Sequence, residues 1–217
     1  MLIAERNAML VNNSILPKGA RWVEYLESDS SRQYINTGIT LPRAPFDFYY
    51  RCDVYFKNFT LYDGYCAWAG ANYGWNTNIN NSNGQLQNTT YALSANTWYD
   101  ILYTNNNGAN RLAYVDGVVR QTRSVYQYDG KPPTFGIFCA TQPPQVGGGI
   151  WTYAQCRLRK TDMGFTKNGV TSEYKFRPIA IGNTGYMLDL VTGEYEQYGN
   201  QGTGDFIIGP DISRPAT

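Results

Sequence analysis

The sequence predicts an all-β fold, a two-sheet antiparallel β-sandwich of the jelly-roll kind. Three observations carry this. Apolar and polar residues alternate with period 2 in several short runs. Asp-Gly and Asn-Gly pairs stand between such runs, where a type I′ turn needs positive φ twice. Helical periodicity is weak along the whole chain, and strands recurring at short spacing with Gly/Asn punctuation mark a sandwich.

In chain order, the breaker cluster Leu16-Pro17-Lys18-Gly19 closes a separate opening segment. Residues 1–15 are therefore read as an N-terminal arm or anchor, and 16–217 as one domain. Between Phe46 and Phe56, Phe46, Phe48, Tyr50, Cys52, Val54 and Phe56 fall on one face. Asp47, Tyr49, Arg51, Asp53 and Tyr55 fall on the other, so the run is a strand with one buried face. Trp98–Thr104 is a second β-rich run, turned at Asn105-Asn106-Asn107-Gly108 into Arg111–Val115. Asp116-Gly117 then returns the chain along Val118-Val119-Arg120. Ala154, Cys156 and Leu158 alternate with Gln155, Arg157 and Arg159. Asn168-Gly169 is a second hairpin turn, before Glu173-Tyr174-Lys175-Phe176. Thr192-Gly193 is a third, joining Met187-Leu188-Asp189-Leu190 to Glu194-Tyr195-Glu196. Two polar stretches, Asn72–Thr90 and Thr141–Gly149, exceed the length of hairpin turns, and loops of that size are often functional.

At 217 residues the chain suits one large all-β domain. Net charge is +1, from 18 basic and 17 acidic residues, so no general pull toward nucleic acid or an anionic membrane is expected. No residue is histidine. That removes Ser-His-Asp and Cys-His activation and the commonest transition-metal ligand, and neither cofactor nor metal is expected. Cys52, Cys66, Cys139 and Cys156 form no C-x-x-C pair, and their apolar neighbours predict buried free thiols. MLIAERNAML lacks the apolar core of a secretory signal, and no run is long enough to span a membrane.

Aromatic residues make up 15% of the chain against 16% charged, with 19 Tyr. Tyr and Trp offer flat faces for sugar C–H surfaces, while Asn and Asp hydrogen-bond hydroxyls. Near the long loops this chemistry gathers at Tyr62, Tyr65, Tyr73, Trp75, Asn76 and Asn78, at Tyr126 and Tyr128 beside Asp129-Gly130, and at Trp151 and Tyr153 after the Gly-rich stretch. Trp75 and Trp151, flanked by Gly or Asn, are the best exposed candidates, and Trp68 is expected in the core. Each has a plain packing explanation, since aromatics favour strands.

Some stretches resemble a known family. Leu16–Ser28 (LPKGARWVEYLES) with Gln33–Gly38 (QYINTG) resembles the opening of laminin-G-like proteins of tailed bacteriophages, gut bacteria and their prophages. Trp98-Tyr99-Asp100-Ile101 with Tyr114-Val115-Asp116-Gly117 is similar to the central strand pair of concanavalin A-like domains. Phe135–Ala140 resembles a strand of the family, and Arg157–Ile179 its late hairpin. Met187–Tyr195 and Gly202–Asp211 are similar to its close. The resemblance covers about residues 16–212.

The resemblance implies a concanavalin A-like jelly roll within the lectin-glucanase superfamily, carried on a virion as fibre, tail or capsid decoration and assembled in the bacterial cytoplasm. Its partners would be other virion proteins, reached through the N-terminal arm, and cell-surface glycans. A homo-oligomer, with a trimer favoured, is expected. Glycoside hydrolases of the superfamily carry Glu-x-Asp-x-x-Glu on one strand, which is absent here; Glu194-Tyr195-Glu196 comes nearest and reads as a solvated edge hairpin. Asp116 reads as a turn residue rather than a calcium ligand. The expectation is a non-catalytic lectin-like virion accessory protein. The alternatives are a purely structural virion component and a glucanase-like hydrolase.

Overall fold

The computed structural model describes residues 16–29, 32–40, 42, 47–57, 59, 67–69, 79–80, 85–86, 89–105, 110–124, 134–141 and 150–215. In chain order the strands are β1 (Ala20–Trp22), β2 (Leu26–Glu27), β3 (Ile35–Thr40), β4 (Asp47–Phe56), β5 (Ala67–Ala69), β6 (Ile79–Asn80), β7 (Gln85–Leu86), β8 (Thr97–Asn105) and β9 (Asn110–Val115). They continue as β10 (Val118–Ser124), β11 (Thr134–Ile137), β12 (Cys139–Thr141), β13 (Ile150–Tyr153), β14 (Arg157–Lys167), β15 (Val170–Ile181), β16 (Thr184–Asp189) and β17 (Ile207–Ile208).

The fold is all-β, with two main sheets paired antiparallel apart from one short parallel contact between β12 and β5. The ten-stranded sheet runs β1-β15-β14-β4-β8-β9-β10, with β16 beside β15 and β2 joining β14 to β17. The five-stranded sheet runs β13-β12-β5-β11-β3. A separate ladder, β6 with β7, lies inside the Asn72–Thr90 stretch read from sequence as a polar loop. The N-terminal arm, residues 1–15, lies outside the described residues.

Alternation explains the core. On β4, Phe48, Tyr50, Cys52, Val54 and Phe56 are buried, as period 2 predicts. Strand pairing extends the buried face sideways: Leu26, Leu158, Val54 and Tyr99 stand opposite one another across β2, β14, β4 and β8, and all four are buried. The five-stranded sheet contributes Ile35, Ile39, Phe135 and Ile137 to the same cluster, and the rings of Tyr50 and Phe135 meet at 5.6 Å between the sheets. Cys52, Cys139 and Cys156 are buried free thiols, as expected. Cys66 lies outside the described residues.

The turns follow their sequence chemistry. Asp116 and Gly117 have φ of 51° and 77°, and Asn168 and Gly169 have 53° and 76°, both pairs joining adjacent antiparallel strands. Pro178 sits inside β15, which a central strand normally forbids. It fits because β15 leaves β14 after Phe176 and meets β1 only from Ile179, so no ladder donor is required at that point.

Two expectations fail. Phe135–Ala140 is not one strand. Fully buried Phe138 adopts φ 60° and breaks it into β11 and β12. A bulky residue in the left-handed region is strained, and packing holds it there: its ring lies 4.9 Å from that of Phe206. Glu194-Tyr195-Glu196 is not a hairpin strand. The fully buried Asp189 carboxylate accepts the N–H groups of Lys175 and Val191 and the Thr192 hydroxyl, which curls the chain out of β16. A 3-10 turn, Glu196–Tyr198, follows and sends Tyr198 inward against Phe176 at 5.0 Å. The two carboxylates therefore do not share a strand face.

The stretches that carry the resemblance at either end lie together. β2 pairs with β17, Val23 bridges Asp211, and Arg21 Nε meets Asp211 Oδ1 at 2.7 Å.

On the face of the ten-stranded sheet turned away from the core, Gly164 stands opposite Tyr49. A Cβ on Gly164 would lie 2.4 Å from Tyr49 Cε1, so the missing side chain is what lets the ring lie flat across β14. Burial, then the charges of Glu173 and Asp162, push the Tyr49 hydroxyl up to about 12. Burial does the same to Tyr198, also to about 12, with Asp189 and Glu194 adding to it against a hydrogen bond to Gln197. Unfolded tyrosine ionises near pH 10, so the fold favours the neutral form. This stability is complete below about pH 10 and is lost as pH rises through about 12. A spectroscopic alkaline titration should place Tyr49 and Tyr198 among the late-ionising tyrosines. Gly164→Ala should bring the Tyr49 transition back toward that of free tyrosine and leave the Tyr198 transition in place.

Candidate functional site

The rows facing away from the core follow from the same ladders. Glu27, Arg157, Tyr55 and Trp98 are direct cross-strand neighbours on β2, β14, β4 and β8. Each is one residue from the buried Leu26, Leu158, Val54 or Tyr99, so each points to the opposite face. Tyr25 and Glu24, in the segment before β2, join them.

The aromatic rings and guanidinium groups are layered. The Arg157 guanidinium lies 4.7 Å from the centre of the Tyr25 ring and 4.8 Å from that of Tyr55. Arg159 covers Trp98 at 3.8 Å. Trp98 in turn touches Tyr55 at 5.4 Å and Tyr25 at 6.2 Å between ring centres. Cation–π contacts of this kind are each worth about 0.5–2 kcal/mol, more as water is excluded. The Tyr55 hydroxyl donates to Asn96 Oδ1 at 3.1 Å, and Asn96 takes φ 58° in the turn before β8.

Carboxylates fix the cations. Glu27 is only 2% exposed, a burial that a charge tolerates only when paired. Arg157 Nε donates to its Oε2 at 2.6 Å, and Lys57 pairs with its Oε1. Glu24 pairs with Arg159 on the same side. The row ends in a cleft of about 180 Å³ lined by Glu27, Ser28, Asp29, Lys57, Gln155 and Cys156. This falls below the roughly 300–1,000 Å³ of pockets that enclose whole small molecules, and suits one unit or end of a larger ligand.

The next row is charged. Lys160, Asp53 and Asp100 stand opposite one another on β14, β4 and β8. Arg51 grips Asp100 with Nε–Oδ1 2.8 Å and Nη2–Oδ2 2.5 Å. Lys160 Nζ lies 3.8 Å from Asp53. The Asp53 carboxyl is pushed up by burial and by Asp100, with Lys160 pulling the other way.

Of the binding residues read from sequence, only Tyr153 has a described side chain. Tyr62, Tyr65, Tyr73, Trp75, Asn76, Asn78, Tyr126 and Tyr128 lie outside the described residues. Trp151 belongs to β13, but its side chain, like that of Trp68 in β5, is outside them too. Tyr153 is half-buried, with its ring 5.8 Å from that of Tyr34. Asp116 serves its hairpin: its carboxylate accepts the Asp100 N–H at 3.0 Å. Sequence reasoning missed Glu27, Arg157 and Trp98 as a unit. Alternation alone put Tyr55, Arg157 and Arg159 on polar faces, and the register that joins them was not visible.

No family model, curated protein or solved structure matches the chain. The fold and site define an all-β protein of two antiparallel sheets, whose larger sheet carries a layered aromatic and guanidinium row ending in a small cleft.

Glu27→Gln should lower stability by about 2 kcal/mol in urea unfolding. It takes the counter-charge from Arg157 and Lys57, and the loss stays below the roughly 3–5 kcal/mol of a fully buried pair because both cations reach solvent.

Proposed function

We propose that the chain is a non-catalytic, lectin-like recognition domain that contacts glycans through the row of Trp98, Tyr55, Arg157 and Glu27. The observation that carries this is the row itself. Held flat across four strands, it joins ring edges and hydrogen-bonding groups on one rigid surface and leads into a cleft sized for a single unit. Sugars call for that mixture of apolar surface and fixed donors and acceptors. Rings locked by packing and by paired charges also lose little freedom on binding.

In this proposal the sandwich is a concanavalin A-like jelly roll, and the chain is an accessory protein of a virion, working in host-surface contact as a homo-oligomer. Support for that setting comes from the resemblance of Leu16–Gly38 and Gly202–Asp211, two stretches that lie against each other in the fold.

A hydrolytic reading has one observation in its favour, the facing carboxylates of Asp53 and Asp100 with unlike surroundings. Arg51 and Lys160 already engage both, which favours a structural charge network.

A glycan array read with the wild type, Trp98→Ala and Tyr55→Ala tests the proposal. Binding by the wild type that falls at least tenfold in either variant supports it. Flat signals for every glycan overturn it and leave a structural role, and cleavage of a polysaccharide lost in Asp53→Asn would favour the hydrolase.

A further inference from the structure

The cations on this face are placed by an irregularity in the sheet. Between Leu158 and Lys160 the β14–β4 register shifts by one residue, so Arg159 is the extra residue of a bulge. Bulges re-aim side chains, and this one sets Arg159 over Trp98 beside the Arg157 layer. In the primary sequence the segment reads Arg157-Leu158-Arg159-Lys160.

A guanidinium carries five N–H donors. Arg157 spends Nε on Glu27, and Arg159 spends Nη2 on Glu24. Both Nη groups of Arg157, and Nε and Nη1 of Arg159, have no protein acceptor among the described residues. Their side chains are 25% and 32% exposed, so these donors face solvent. Stacking on aromatic rings holds both forks flat, the state in which a guanidinium binds an oxyanion with least loss of freedom. Across the row, Lys57, Arg157 and Arg159 face Glu24 and Glu27, an excess of one positive charge. Asp29 lines the cleft beside Glu27 and Lys57, so that second acid sits at the cleft while the Arg157 and Arg159 forks lie over the row.

We propose that the ligand of this face is an acidic glycan, whose carboxylate or sulfate binds the stacked Arg159 and Arg157 forks while a neighbouring sugar unit enters the cleft at Glu27. The proposal rests on the glycan-contact reading above. Glu24 then acts as an internal stand-in for the ligand acid, occupying one edge of Arg159 in the free protein.

That competition gives two variants of opposite sign. Isothermal titration is run with three probes: oligogalacturonate, the same oligomer with its carboxyls reduced to alcohols, and a sulfated dextran oligomer. The acidic probes should bind about tenfold more tightly than the reduced one, the worth of one charge-assisted hydrogen bond, and should weaken with added salt. Glu24→Gln should widen that ratio and Arg159→Gln should close it. The Glu24–Arg159 pair is partly exposed, so neither variant threatens the fold, and thermal melts check this. The better of the two acidic probes identifies the acid. Equal binding of acidic and reduced probes, or an acid preference weakened by Glu24→Gln, overturns the inference and leaves glycan contact standing. Absence of binding to any sugar here and on the array overturns both.

Discussion

The ladder between β14 and β4 pairs Leu158 with Val54 and Arg157 with Tyr55, and a slip of one residue would exchange those rows. Such a slip would put a guanidinium and a phenol into the core and two aliphatic side chains into water. Burial of Leu26, Leu158 and Val54, worth about 1.5–3 kcal/mol for each side chain, therefore fixes the register and with it the outer row. The candidate site is set from behind, by the apolar residues one position away from it.

Glu27 ties this register to the rest of the chain. Its strand is two residues long and lies between β14 and β17, so it joins the start of the domain to its end. Its carboxylate reaches across to Arg157 and Lys57. A buried charge with two partners is poor evidence of stability gained, since desolvation offsets much of the attraction. It is better evidence of geometry held, because few arrangements satisfy it. Here the arrangement fixes Arg157 between two rings.

Elsewhere the sheet departs from regularity in places that each have a local cause. The bulge at Arg159 brings a further cation onto Trp98. A second register shift, between Val119 and Gln121, disturbs the edge strand β10, where Arg120 leans over Tyr91. Shifts and charges on an edge strand hinder pairing with another chain. Phe138 turns the smaller sheet by a backbone strain that its buried ring secures.

By itself the sequence determined the class of fold, the buried face of β4 and the hairpins at Asp116-Gly117 and Asn168-Gly169. These depend on local rules: alternation decides which side chains are buried, and only certain residues accept positive φ. It also marked Tyr55, Arg157 and Arg159 as outward-facing. Tertiary structure alone decided that they meet. Glu27 and Arg157 are 130 positions apart, and no local pattern encodes a register across such a distance. It also decided against Glu194 and Glu196 as a strand pair, because the buried Asp189 carboxylate collects backbone N–H groups and bends the chain there. Aromatic content near the long loops drew attention to Trp75 and Trp151, whereas Trp98 and Tyr55 lie on β8 and β4, where paired charges and a packed core hold them in place.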